Sequence, residues 1–89
     1  MLKSGVYAIR NIVNGAIYIG SSVDLHRREL KHLLQIRSGT HANRYLTRAI
    51  LKYGAENFVF EVIEKCEPSA LKEREQFYIE KYQAFGNGY

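Results

Sequence analysis

Six side chains in this 89-residue sequence could share in breaking a phosphodiester bond: Tyr7, Tyr18, Arg28, His32, His41 and Glu75. That hydrolysis has three demands. A base or an oriented water must attack phosphorus, a positive group must stabilise charge on the non-bridging oxygens, and the leaving alkoxide must be protonated or neutralised. Arginine meets the second demand through its fixed fork of donors. One carboxylate can hold a Mg²⁺ that keeps most of its waters, and such an ion stabilises charge and acidifies water. Histidine or tyrosine can accept or relay a proton. Each residue also has an ordinary use. Tyrosines on strands usually pack with the hydroxyl at a rim, lone histidines are commonly surface or capping groups, and Arg28, beside Arg27, fits a simple phosphate clamp.

The elements that must position these groups follow one another closely, with no repeat, low-complexity run or linker. Residues 5–10 (GVYAIR) alternate between two faces and read as a strand, and residues 16–20 (AIYIG) as a second. Asn14-Gly15 between them is a strong turn signal, because both residues can take positive φ, so an antiparallel hairpin is expected with one tyrosine on each strand. Ser21-Ser22-Val23-Asp24 matches a helix start, a hydroxyl followed three residues on by an acid. The spacing predicts a helix from about Asp24 to Arg37, stopped near Gly39, with Arg28 and His32 on one face. A second helix runs from about Ala42 to Tyr53 on a stripe of Leu46, Ala49, Ile50 and Tyr53, ended by Gly54. Residues 57–64 (NFVFEVIE) place Phe58, Phe60 and Val62 on one face of a third strand.

Pro68 sits where a helix would begin. The third helix is predicted to reach about Tyr82, with a stripe of Leu71, Glu75, Tyr78 and Tyr82. A carboxylate in that stripe needs a cation, a metal or a hydrogen-bond donor, because burying it uncompensated is costly; a salt bridge to a nearby arginine would also serve. The fold class is therefore α/β (α+β): a small, three-stranded, largely antiparallel sheet flanked by three helices, in one domain over residues 1–89.

Charge is unevenly distributed. Residues 1–53 hold nine Lys/Arg against two acids, and residues 54–89 hold four against seven, so the halves carry +7 and −3 within a net +4. A basic half suits a polyanion partner, since neutralised phosphates release counterions, although a solvated helix face gives the same pattern. The lone cysteine, Cys66, cannot form an internal disulfide or a thiol zinc site, reads as a small apolar residue, and fits a reducing compartment. The N-terminus lacks a signal-peptide run, and no stretch is apolar for the roughly 18 residues of a membrane span. No membrane partner is expected.

Gly5-Val6-Tyr7, followed by Tyr18-Ile19-Gly20, resembles the paired signature of the GIY-YIG nucleases, with Val6 in place of the first motif's isoleucine. Gly20-Ser21-Ser22, Asp24 and Arg28 resemble the family's second strand leading into the helix with its essential arginine. His32 one turn later, and His41 before the second helix, resemble the homing-endonuclease-like branch. Glu73-Arg74-Glu75-Gln76-Phe77-Tyr78 resembles its metal-site helix, with Glu75 the matching glutamate.

The resemblance implies a catalytic domain that cuts double-stranded DNA with a single Mg²⁺ or Mn²⁺ held by Glu75. Arg28 would stabilise the pentavalent phosphate. Tyr7 is favoured as the base or its assistant, with Tyr18 positioning water or phosphate, His32 sharing the proton traffic, and His41 the weaker histidine. A phenol with its usual pKa of about 10 would need help from the metal or Arg28. Arg27, Lys31 and Ser21 are the expected further DNA contacts. In that branch a run like Gly86-Asn87-Gly88-Tyr89 continues into an asparagine that completes the site. The sequence ends at Tyr89, one group short, and activity of these 89 residues alone depends on that group. The resemblance further implies a monomer, a location in the cytoplasm with the nucleoid or in a phage-infected cell, and a separate DNA-binding region in the parent protein. The domain alone would then bind DNA weakly and contact phosphates rather than read bases. Two other readings share the fold: a repair or recombination nuclease specific for branched or damaged DNA, and a catalytically silent DNA-binding module.

Overall fold

A computed structural model describes residues 2–38 and 44–83, the last of these by its backbone. His41, the helix stop at Gly39, the predicted helix start at Ala42 and the 86–89 run lie outside the described residues. Strands β1 (Gly5–Asn11), β2 (Ile17–Ser22) and β3 (Phe58–Lys65) form one sheet in the order β2-β1-β3, antiparallel throughout. Helices α1 (Leu25–Ser38) and α2 (Arg44–Tyr53) precede β3, and α3 (Leu71–Gln83) follows it.

The central strand sorts the layers. Tyr7 and Ile9 point to one face, where they join Leu25 and Ile36 of α1, Leu46, Ala49 and Ile50 of α2, and Phe58 in the core. Each such large side chain taken out of water contributes roughly 1.5–3 kcal/mol. Val6 and Ala8, on the opposite face, are equally buried. Glu64, which pairs with Val6, bonds to residues of α3, so α3 covers this second face.

Two local expectations, the α1 cap and the start of the third helix, need correction. The hairpin loop falls where the Asn14-Gly15 signal put it: Asn11 N–H donates to the Ala16 carbonyl at 2.9 Å and Gly15 N–H to the Asn11 carbonyl at 2.8 Å, leaving residues 12–15 as the loop. Of the Asn14-Gly15 pair, Gly15 alone takes a positive φ, 76°, while Asn14 Oδ1 accepts from Ala16 N–H at 2.9 Å. The α1 cap lies three residues later than predicted. Asp24 is itself the capping residue, its Oδ1 accepting from Arg27 N–H at 3.2 Å, and Ser22 Oγ holds Asp24 N–H at 3.1 Å. The third helix opens with a 3₁₀ turn at Pro68–Ala70, and its α-helical part starts at Leu71. Phe58, Phe60 and Val62 share one face of β3 as expected, pairing with Asn11, Ile9 and Tyr7, although Val62 is 47% exposed.

Beyond Val62 the register departs from strict alternation. Val6 pairs with Glu64 but Tyr7 pairs with Val62, so Ile63 is an extra residue and β3 bulges there. Strict alternation from Val62 would aim Glu64 at the Tyr7 face; the bulge turns it to the Val6 face, toward α3. Gly5 permits this close approach, because a Cβ at that position would overlap the Glu64 carbonyl oxygen.

Candidate active site

Tyr7 lies at the centre of the candidate site. Its ring stacks on Phe60, with centroids 4.8 Å apart and planes at 19°, and tilts against His32 at 5.1 Å. From β1 the ring reaches across β2 over Gly20. A Cβ on Gly20 would overlap both the ring and the hydroxyl, so the second glycine of the paired motif is the floor beneath the first motif's tyrosine.

Helix α1 meets this phenol with two side chains one turn apart. Arg28 Nε–H donates to Tyr7 Oη at 3.2 Å, and His32 Nε2 lies 2.9 Å from the same oxygen. A guanidinium only donates, so Tyr7 Oη is the acceptor toward Arg28 and its own proton is available to His32 Nε2. Tyr7 is 1% exposed and His32 0%. Tyr18, half-buried on β2, presents its ring to the edge of His32 with centroids 6.4 Å apart. Arg28 is also half-buried, so it and Tyr18 form the solvent-facing side of the cluster.

Glu75 is half-buried on α3 and forms no ion pair among the described residues. The salt bridge that its neighbourhood could have supplied is taken: Arg74 pairs with Glu64 instead, at 2.8 Å. The phenols register where Glu75 sits. Burial pushes the Tyr7 hydroxyl above its ordinary value of 10.0; the hydrogen bond from Arg28 opposes this, and the charges of Tyr18 and Glu75 add to it. Tyr18 is raised likewise, first by burial, with Arg28 opposing and Glu75 reinforcing. The charges of Arg28 and Glu75 thus pull both phenols in opposite directions.

The chain was compared with known proteins. The model of the GIY-YIG catalytic domain matches residues 3–89. The chain belongs to the GIY-YIG family. It is 33% identical over 90 residues to intron-associated endonuclease 1 of Enterobacteria phage T4, covering 99% of this chain and 36% of that protein. It is 34% identical over 94 residues to the probable intron-encoded endonuclease 1 of Neurospora crassa, covering 98% and 29%. The chain therefore spans about a third of the length of the curated relatives it matches. Among solved structures, the catalytic domain of homing endonuclease I-TevI superposes with a TM-score of 0.86 at 32% identity, covering 98% of this chain and 96% of that one. A mutant of the same domain gives 0.83 at 31% identity, covering 98% and 91%. The expected three-stranded antiparallel sheet with three helices is this GIY-YIG fold.

The remaining predicted contacts of this GIY-YIG domain lie apart from the phenol cluster. Arg27 and Lys31 are exposed on α1, beside Arg28 and His32 but turned to solvent. Ser21 pairs with Val6 and so faces the α3 layer, not the Tyr7 face. A hollow of about 410 Å³ at the start of α1, lined by Lys3, Asp24, His26 and Val62 among others, contains none of the cluster's groups; chemistry, not size, marks the site. Phe60 and Gly20 escaped the sequence reading as site residues. The alternation of β3 and the motif itself carried their signals, but only the Tyr7 ring position gives those signals meaning.

Proposed function

We propose that this chain is a divalent-metal-dependent DNA endonuclease domain of the homing or phage type, hydrolysing phosphodiester bonds of double-stranded DNA. The observation that carries this reading is the Arg28–Tyr7–His32 hydrogen-bonded set with Glu75 acting on the same phenols. The intron-related endonucleases among its relatives favour the homing type over a branch-specific nuclease. Their greater length agrees with a separate DNA-binding region elsewhere in the parent protein, the domain itself acting as a monomer in the compartment that holds the DNA.

Arg28 has no carboxylate partner among the described residues, so its guanidinium remains able to bind the scissile phosphate and stabilise charge as phosphorus becomes pentavalent. As water attacks phosphorus, its proton passes to Tyr7 Oη while the Tyr7 proton moves to His32 Nε2. The phosphorus–oxygen bond to the leaving strand breaks, and the alkoxide takes its proton from solvent. Such a relay avoids a free phenolate, which burial makes expensive. Tyr18, nearer solvent, orients the water or the phosphate. Arg27 and Lys31 contact flanking DNA, a role the α3-facing Ser21 is not placed to share, and His41 is a further site group.

The donors suit a hard divalent cation with few protein ligands. Glu75 is a carboxylate without an ion pair, and the described residues include no group of three His, Cys, Asp or Glu that would suit a multi-ligand metal centre. A single Mg²⁺ or Mn²⁺ held by Glu75 would add charge stabilisation at the phosphate and a more acidic water. The test is nicking of supercoiled plasmid: conversion with Mg²⁺ and none with EDTA is expected. A linear duplex cut far more slowly than a branched substrate would overturn the homing-type reading.

A further inference from the structure

A second cluster on the other face of the sheet lies next to the site in sequence. Arg74 donates from Nε and from an Nη to the two Glu64 oxygens, both at 2.8 Å, and Tyr78 O–H donates to Glu64 Oε1 at 2.9 Å. Arg74 also lies over the Phe77 ring, 4.5 Å from its centroid. These contacts hold the Glu64 carboxyl below its ordinary value, and the Arg74 guanidinium above its own. A bidentate pair fixes orientation as well as distance, and the Tyr78 bond adds a second attachment one turn along α3.

Two features of the β1–β3 pairing serve this pair. The bulge at Ile63 turns Glu64 toward α3, the bare Gly5 makes room for the Glu64 carbonyl, and without the bulge the carboxylate would face the wrong layer. Arg74 and Glu75 are consecutive, so on a helix they point about 100° apart. Fixing the direction of Arg74 fixes that of Glu75.

We propose that Arg74, Glu64 and Tyr78 are positioning residues that set the rotation of α3, so that the Glu75 carboxylate faces the hairpin phenols and can hold the divalent cation. This rests on the nuclease reading above. It joins the first glycine of the signature to the metal-binding carboxylate: Gly5 admits the bulge, the bulge aims Glu64, Glu64 holds Arg74, and Arg74 orients Glu75.

The experiment measures Mn²⁺ binding directly, by the paramagnetic resonance signal of free Mn²⁺, alongside plasmid nicking over a metal titration and the melting midpoint. Arg74→Met and Tyr78→Phe are compared with wild type, with Arg74→Lys and with Glu75→Gln. Residues that orient a metal ligand change affinity on the order of 10- to 100-fold. Arg74→Met is expected to bind Mn²⁺ about tenfold more weakly and to need correspondingly more metal for half-maximal nicking, with Tyr78→Phe and Arg74→Lys between it and wild type. DNA affinity without metal stays unchanged. Glu75→Gln loses the Mn²⁺ site. If folded Arg74→Met or Tyr78→Phe keeps wild-type Mn²⁺ affinity and only melts earlier, the cluster is structural and the proposal fails while the nuclease reading stands. Should Glu75→Gln bind Mn²⁺ like wild type, or wild type bind none, the metal anchor itself is lost and the proposal falls with it.

Discussion

Two arginines in this small domain sit beside a tyrosine, and they are used in opposite ways. Arg74 is matched by the Glu64 carboxylate at 2.8 Å with Tyr78 closing the set, so its charge is neutralised where it stands. Arg28 touches a phenol, Tyr7, at 3.2 Å and forms no ion pair among the described residues. A guanidinium already paired with a carboxylate has little to offer a phosphate. One held in place by a neutral oxygen keeps its charge for the ligand. The carboxylates divide the same way: Glu64 is consumed in a pair, and Glu75, on the same helix as Arg74, forms no ion pair among the described residues. Local pairing, not residue type, separates scaffold from site.

The sharpest way to break the comparison is at the floor of the site. Gly20→Ala puts a methyl group into the Tyr7 ring and hydroxyl. We expect a loss of roughly 1–3 kcal/mol in a melting or urea experiment, typical of overpacking, with nicking below detection. A fully active, unshifted Gly20→Ala domain would mean that Tyr7 does not cross β2 as described. Next comes Arg28→Lys, which keeps the charge and loses the fork. Single-turnover nicking should slow by about 100-fold with little change in melting, whereas retention of wild-type rates would deny Arg28 a shaped role at the phosphate. Tyr7→Phe removes the hydroxyl that accepts from Arg28 and donates to His32 and should cost on the order of 10²-fold in rate, in the range of general base catalysis. An unaltered rate would move the proton path to Tyr18.

The smallest expected effect is electrostatic. In a tyrosine ¹³C titration, Tyr7 and Tyr18 should ionise above 10.0, since burial raises both. Removing the Glu75 charge in Glu75→Gln should lower both phenols, and removing the Arg28 charge in Arg28→Met should raise them. Because these pKa values are higher folded than unfolded, the stability linked to them is complete below pH 10.0 and is lost as pH rises through the folded values. Melting midpoints that hold steady through that alkaline range would contradict the burial of Tyr7.

Much of this was legible in the sequence, because the relevant signals are local. The alternation around Tyr7 and Tyr18 gave the strands, the four-residue interval from Arg28 to His32 put both on one face, and the placement of Glu75 in an apolar stripe marked it as unusual. What escaped was a choice between local patterns and one non-local pairing. Ser21 with an acid three residues on fits a capping pattern, but Asp24 itself caps α1, with Ser22 bonded to it. The bulge at Ile63 arises from the pairing of β3 with β1, and without it Glu64 and Val62 read as neighbours on one face. That single inserted residue decided the partner of Arg74.

The most direct test of the account compares plasmid nicking by the wild-type domain with that by Arg28→Ala and Glu75→Ala, at saturating Mg²⁺ and with the fold of each checked by melting. Both variants should remain folded and lose cleavage by about 10³-fold, the scale on which a lost transition-state contact is felt. Wild-type cleavage surviving in both would show that the Arg28 guanidinium and the Glu75 carboxylate do not act on the phosphate, and the site described here would not be the active site.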